Sequence, residues 1–188
     1  MKKLFFTCIL AFFLSLGITN AQDLRLGFRT LPSLSWIHSN SEDISSGGFA
    51  GGISYGLIAD KYFAENYALS TGLDVNYRGG SLEKAGNTSS YSLQFIEIPL
   101  TLKLKTNQVG PFRYFGQMGL GIDIKIHSNF DVNPLGFALI VGGGVEIPFS
   151  GKTSFVAGLL FHNGLSDLIP GDGNANGNYL ALNLGILF

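Results

Sequence analysis

The sequence predicts an all-β fold, namely an eight-stranded antiparallel up-and-down transmembrane β-barrel. The chain of 188 residues is 46% hydrophobic but only 13% charged, about half the charged fraction of ordinary globular domains. After residue 21, no apolar run reaches the roughly 18 residues that a membrane-spanning helix needs. Apolar and polar residues instead alternate with a period of two, which is typical of strands with two different faces.

The N-terminal region has the features of a secretory signal peptide. Lys2 and Lys3 precede an apolar segment at 4–16, and Ala21 is the small residue expected before a cleavage site. This segment is too short to be a membrane-spanning helix. The sequence therefore predicts export from the cytoplasm.

The predicted domains are a signal peptide at 1–21 and an outer-membrane β-barrel domain at 22–188. Cys8 is the single cysteine and lies in the first of these, so the second has no thiol for disulfides, catalysis or metal binding. The formal net charge is −1 at pH 7, and the chain lacks the basic stripe that nucleic-acid binding requires. We therefore expect no nucleic-acid partner and no cofactor.

Alternation is clearest from Tyr67 to Arg78, where odd positions are mainly apolar and even positions are polar or small. A helix would scatter these residues around its axis, whereas a strand sorts them onto two faces. Segments of this kind are long enough to cross the hydrocarbon layer as tilted strands, and an even number of them allows an antiparallel barrel to close. The eight segments are 24–36, 49–59, 67–78, 91–105, 112–126, 135–147, 153–164 and 178–188.

The connections alternate between short and mostly longer ones, the pattern of outer-membrane barrels with short periplasmic turns and longer external loops. In the fourth segment, the apolar residues change from odd to even positions after Phe95. This change of phase predicts a β-bulge near Phe95 and Ile96. The short connections are 60–66, 106–111 and 148–152, and the others are 37–48, 79–90, 127–134 and 165–177.

The charged residues indicate which face meets the lipid. When the more apolar face of each strand is assigned to the outside, ten in-strand charges fall on the other face. An arginine or lysine at the midplane on the lipid side would cost about 2–4 kcal/mol, so the pattern predicts a lumenal charge network with a structural role. Its predicted members are Arg25, Arg29, Asp74, Arg78, Glu97, Lys103, Arg113, Asp123, Lys125 and Glu146.

The width of the lumen bears on what such a network does. An eight-stranded barrel has an interior just wide enough to be filled by side chains. This favours a plug of ion pairs and hydrogen bonds over the alternative, a narrow polar pore. We expect His162 to join the same interior network.

Aromatic residues lie near the predicted strand ends, where the interface girdles of membrane barrels belong. The last strand ends in Phe188, and a terminal aromatic residue resembles the signal that the outer-membrane assembly machinery reads. The expected partners are therefore outer-membrane lipid and that machinery during biogenesis. A soluble lipid-carrier barrel, with its faces reversed, remains as a third alternative. The aromatic residues are Trp36, Tyr67, Tyr77, Tyr91, Tyr114 and Phe188.

Two further motifs have simple structural explanations. Asp172–Gly177 matches the first half of a calcium-loop pattern, but Asn183 stands where the closing glutamate belongs. A Gly/Asn turn is therefore favoured. Gly142–Gly144 lacks the Lys-Ser/Thr pair of a phosphate loop, and it indicates close strand approach or a bend.

Two histidine–serine pairs lie near the outer strand ends, namely His38-Ser39 and His127-Ser128. Some small outer-membrane barrels are lipid hydrolases with Ser and His at this level. A catalytic pair needs hydrogen-bond contact and a positioned third group, and adjacency in sequence provides neither. We expect polar rim residues here, and no catalytic residues.

Four segments resemble, in order, motifs of the PorT-like outer-membrane barrels of Bacteroidota. Residues 95–103 (FIEIPLTLK) resemble the strand "YIEIPLLLK", and 111–119 (PFRYFGQMG) resemble "PYLxAGP". Residues 142–147 (GGGVEI) resemble "GxGxE". Residues 161–167 (FHNGLSD) resemble "RYxxGLTD", with His162 and Asn163 in place of Arg-Tyr.

The resemblance implies a barrel in the cell outer membrane. The family's named member assists a secretion system that exports proteins across the outer membrane, and most relatives have no assigned activity. The expected function is thus a structural or interaction role, with a protein partner at the external loops and an accessory part in protein export. A lipid-modifying enzyme or a narrow pore remains the alternative.

Overall fold

The computed structural model describes residues 23–39, 44–46, 48–84, 87–129, 131–168 and 175–188. The predicted signal peptide at 1–21 and the first half of the predicted Gly/Asn turn, 172–174, lie outside the described residues. Within the described ranges, no helix combines the length and the apolar character needed to cross a membrane.

The described residues form one antiparallel sheet that closes on itself. Apart from a short strand at Ile44–Ser46, each strand pairs with its neighbours in the chain, and the first strand, Leu24–Ser39, pairs with the last, Ala175–Leu187. Eight strands therefore form a closed up-and-down barrel, as predicted, and the short strand pairs only with residues 82–84. The strands are β1 (Leu24–Ser39), β2 (Ile44–Ser46), β3 (Ala50–Ala64), β4 (Tyr67–Lys84), β5 (Asn87–Lys105), β6 (Arg113–Ser128), β7 (Leu135–Ser150), β8 (Thr153–Gly164) and β9 (Ala175–Leu187).

The two ends of the barrel differ. At one end, which we call the turn end, short connections at 65–66, 106–112 and 151–152 join the strands. At the opposite end, which we call the loop end, the connections are 40–49 (which includes β2), 85–86, 129–134 and 165–174. The longer connection predicted at 79–90 is wrong, because β4 and β5 extend through most of it. Several strands extend beyond their predicted bounds, and the β4–β5 hairpin continues to Lys84 and Asn87. By the usual rule for outer-membrane barrels, the turn end faces the periplasm.

The outer face of the barrel is apolar between two aromatic zones. Large outward side chains such as Phe28 and Leu120 are exposed. Near the loop end, Trp36 packs edge-on against Phe49 with ring centroids 5.5 Å apart. Near the turn end, Phe149 packs against Phe155, also at 5.5 Å. An apolar band flanked by aromatic girdles is the surface that a bilayer stabilises.

The change of phase predicted in β5 is wrong, although the β5–β6 pairing has an irregularity at the predicted place. Alternation in β5 is unbroken, and Leu93 and Phe95 face the lumen together with Glu97. The pairing with β6 does shift here, but Gln94 lies opposite His127 and Phe95 opposite Lys125, so the extra residue belongs to β6. Leu93 and Phe95 turn inward because they belong to an apolar cluster that fills the loop end of the lumen. This cluster consists of Ile37, Leu93, Phe95, Val132 and Ala175.

Candidate functional site: the ionic lumen

Charged side chains fill the lumen at two levels. Each level is held by strands whose inward positions alternate with the apolar outer ones, so its members come from distant parts of the chain. The loop-end cluster comprises Asn76, Arg78, Glu97, Asp123, His162 and Tyr179. The turn-end cluster comprises Arg25, Asp60, Tyr62, Lys103, Lys105 and Glu146.

Arg78 is at the centre of the loop-end cluster. Its guanidinium lies 2.9 Å from Glu97 Oε2 and 3.1 Å from Asp123 Oδ2, and it donates from Nε to Asn76 Oδ1 at 3.0 Å. The cation also stacks over the rings of Phe95 and Tyr179, with centroid distances of 5.2 and 4.6 Å. Such a charge is stabilised in a buried position because both carboxylates and aromatic faces surround it.

Tyr179 and His162 complete the cluster from the opposite wall. The Tyr179 hydroxyl lies 2.9 and 2.8 Å from the two oxygens of Glu97. His162 stacks on the Tyr179 ring at 4.4 Å and places Nε2 3.2 Å from Asp123 Oδ2. All members of this cluster are buried, so their positions are fixed by mutual contact.

Three of these side chains have ligand types that metal ions prefer. Ligand atoms of Glu97, Asp123 and His162 lie within 4.8 Å of one another. However, Arg78 bonds both carboxylates, and its Nη2 lies 3.5 Å from His162 Nε2. A permanently charged guanidinium therefore holds the position that a cation would take, and the arrangement does not fit a metal ion.

Glu146 is at the centre of the turn-end cluster. Its carboxylate lies 2.7 Å from Lys103 Nζ, 3.0 Å from Lys105 Nζ and 3.4 Å from Arg25 Nη1. Lys103 Nζ also lies 2.8 Å from Asp60 Oδ2. This cluster thus joins β1, β3, β5 and β7 across the lumen.

Between the two levels, Arg29 forms a two-point ion pair with Asp74. Arg29 Nε donates to Asp74 Oδ1 at 3.0 Å, and a second contact joins Nη2 to Oδ2. Asp74 is 0% exposed. Two apolar clusters, one around Leu31 and one around Ile58, also lie among the buried residues.

The structure brings eight of the ten predicted lumenal charges into ion pairs. Lys125 instead donates to the Val132 carbonyl at 2.6 Å. Within the described ranges, the Arg113 side chain makes no hydrogen bond or ion pair. The paired residues are Arg25, Arg29, Asp74, Arg78, Glu97, Lys103, Asp123 and Glu146.

Sequence reasoning missed several members. Asp60 was assigned to a short connection, but β3 continues to Ala64 and the Asp60 side chain faces inward. Asp60 continues the series of even positions that includes the inward-facing Ser54 and Ile58, and this alternation was the signal that could have identified it. Lys105 is two residues after the inward Lys103, so it lies on the same face of β5. Tyr179 precedes the outward Leu180, so it faces inward. Alternation along the strand would therefore have identified both residues.

The remaining candidates lie apart from the ionic lumen. His127 is exposed near the loop end, and the side chains of His38 and Ser39 lie outside the described residues. Asn183, at the position where a calcium loop would close, is buried in β9. Within the described part of the chain, the buried histidine is His162, and its partners are the acidic groups of the loop-end cluster.

A closed antiparallel barrel with an apolar outer face and an ionic interior defines a β-barrel membrane protein. Closure leaves no strand edge with unpaired backbone groups, and the apolar outer face is stable in contact with lipid. The family model named outer membrane protein beta-barrel domain matches residues 19–134. The chain belongs to this family, and it is a small integral protein of the outer membrane, surrounded by lipid.

Solved structures support the fold. Neisserial surface protein A (NspA), from Neisseria, is similar with a TM-score of 0.59 and 13% identity, covering 88% of this chain and 97% of that one. The outer membrane protein OprG from Pseudomonas aeruginosa has a TM-score of 0.57 and 11% identity, covering 88% and 94%. No curated protein matches the sequence. At these identities the likeness concerns the fold alone.

Proposed function

We propose that this protein is a non-conducting outer-membrane barrel with a structural or interaction role, and that its lumenal charge network is structural. The observation that carries the proposal is the contact of Arg78 on β4 with Asp123 on β6 and His162 on β8, at 3.1 and 3.5 Å. In the ring of eight strands, β4 and β8 are diametrically opposite. Side chains that meet from opposite walls leave no continuous aqueous path at that level.

Two observations favour a structural role over transport or catalysis. The apolar cluster around Leu93 and Phe95 adds a second obstruction toward the loop end. Each buried carboxylate of the loop-end cluster is in hydrogen-bonding or ionic contact with Arg78, Tyr179 or His162. A general base or nucleophile must be accessible to its substrate. These carboxylates are instead enclosed and bonded to one another's partners.

The interaction part of the proposal concerns the loop end. Large apolar side chains exposed at this end include Phe49 and Leu165, and a protein partner could cover them. The motif resemblance at 95–103 and 142–147 supports an accessory role in protein export, with a protein partner at the loops. Insertion by the outer-membrane assembly machinery is part of the same proposal.

The experiment that tests this function uses protein folded into lipid vesicles and planar bilayers. We expect no steady open channels and no hydrolysis of the vesicle lipids. Tyr77→Ala, which changes only the outer face, should stay silent, whereas Tyr179→Ala removes a large lumenal side chain and should leak more than Tyr77→Ala. Steady channels from the unmodified protein, or lipid hydrolysis, would reject the proposal. Cross-linking in intact outer membranes then identifies the loop partner.

A further inference from the structure

The turn end of the lumen has an excess of positive charge. Among the described residues facing inward at this level, the cations are Arg25, Lys103, Lys105 and Arg113, while the carboxylates are Asp60 and Glu146. Buried charges are costly unless they are paired. Two positive charges at this level therefore have no carboxylate of their own.

Arg113 shows where the excess lies. It stands directly opposite Glu146 in the β6–β7 register, yet that carboxylate is already contacted by Lys103, Lys105 and Arg25. Arg113 is only partly exposed, and within the described part of the chain its guanidinium makes no hydrogen bond or ion pair.

Arg25 is incompletely satisfied as well. Its Nη2 donates to Ser154 Oγ at 2.9 Å and to the Lys152 carbonyl. Its Nε is buried and has no acceptor among the described residues. The Arg25 side chain is 11% exposed, so little water is available to replace the missing acceptor.

A cavity of about 460 Å³ opens beside these groups at the turn end. Arg25, Arg113 and Lys152 line it from three different strands or turns, together with Ser154. Asp23 and Glu65 also line the cavity, but both are exposed, so water screens their charges more than those of the two arginines. We call this cavity the turn-end vestibule.

We propose that the turn-end vestibule binds a phosphate group, held by Arg113 and Arg25 with Lys152 as a third cation. Guanidinium groups match phosphate oxygens with paired hydrogen bonds, and the excess of positive charge matches an anion that carries up to two negative charges. The vestibule is much larger than a phosphate ion, so the group could belong to a soluble phosphate ester or to a phospholipid headgroup. This inference does not depend on the proposed closure of the lumen.

The test uses the folded protein in an uncharged maltoside detergent. Inorganic phosphate and glycerol phosphate are titrated by calorimetry at constant ionic strength, with chloride as the competing anion. We expect saturable binding and a higher melting temperature in phosphate than in chloride. Arg113→Gln should weaken binding by about tenfold, which is the loss of one charge-assisted contact. It should still fold, because the Arg113 side chain makes no polar contact within the described ranges.

Lys61→Gln is the matched control, since Lys61 lies on the outer face of β3 near the same end. It should bind phosphate as the unmodified protein does. A second variant, Lys152→Gln in the exposed β7–β8 turn, should also weaken binding. Absence of phosphate binding above the chloride level, or equal binding by Arg113→Gln, would overturn the proposal.

A second arm identifies the source of the phosphate group. Short-chain phosphatidylglycerol is titrated into the same detergent solution. Tighter binding than glycerol phosphate, lost in Arg113→Gln, assigns the site to a lipid headgroup. Equal or weaker binding assigns it to soluble phosphate esters. Lipid binding that Arg113→Gln leaves unchanged, with no binding of the soluble phosphates, would overturn the proposal.

Discussion

Arg78 illustrates how single charges are tolerated inside this barrel. Its guanidinium bonds Glu97 and Asp123, and Asn76 accepts from its Nε. The desolvation cost of each charge is offset only while its partners remain in place. The stability of the loop-end cluster therefore depends on the whole set of residues more than on any one pair.

Arg78→Met should lower the free energy of unfolding by about 3–5 kcal/mol, because it leaves two carboxylates buried without their cation. Urea unfolding of the barrel in lipid vesicles measures this. The triple variant with Glu97→Gln and Asp123→Asn should recover part of the loss, since the uncompensated charges are gone. A single variant as stable as the unmodified protein would show that the cluster is not buried as described.

At this scale, sequence alternation could predict which charges face inward but not which partners they find. Asp74 and Arg78 have the same parity in β4, yet Asp74 pairs with Arg29 and Arg78 with Glu97 and Asp123. Partner choice depends on the stagger between strands, which is set by the closed register and not by any one segment.

At the scale of elements, the contact of β7 with β8 depends on glycine. Gly144 lies opposite Gly158, and a Cβ added at Gly144 would lie 2.2 Å from the Ala157 carbonyl oxygen. Backbone atoms cannot move away cheaply within a hydrogen-bonded ladder. The close strand approach expected for Gly142–Gly144 is thus present at Gly144.

Gly144→Ala should destabilise the barrel by about 1–3 kcal/mol, the usual range for overpacking. Gly116→Ala is the matched control, because a Cβ at Gly116 meets nothing within 4 Å, and its effect should stay within about 0.5 kcal/mol. Both are measured by urea unfolding in vesicles. Equal effects of the two substitutions would contradict a close contact at Gly144.

The β5 strand shows why a local pattern can mislead. Leu93 and Phe95 are apolar, so a rule that places apolar residues outside required a change of phase. In the closed barrel they face the lumen and pack on Ile37, Val132 and Ala175. The space between distant strands at the loop end decides this, and that space is not visible in the β5 sequence.

At the scale of the whole molecule, the orientation of the two faces separates a membrane barrel from a soluble carrier. Outward side chains in the middle of the strands are large and apolar, and Leu120 is 56% exposed. Such a continuous surface is stable in lipid, whereas in water it would promote association.

Leu120→Arg should cost about 2–4 kcal/mol of folding free energy in lipid vesicles, because it places a charge at the midplane. Tyr114→Arg, on the same strand near the turn end, should cost only about 0–1 kcal/mol, since arginine there reaches the interface. Equal small costs at both positions would indicate that water, and not lipid, covers the outer face.

By itself, the sequence predicted the number of barrel strands, their antiparallel order and the inward side of the eight charges that form ion pairs, because a period of two is a local property of each strand. The tertiary structure alone decided the partners of those charges, the inward turn of Leu93 and Phe95, and the separation of the lumen into a loop-end and a turn-end cluster. These features depend on closure between β1 and β9, since closure sets the stagger that brings residues distant in the chain to one level.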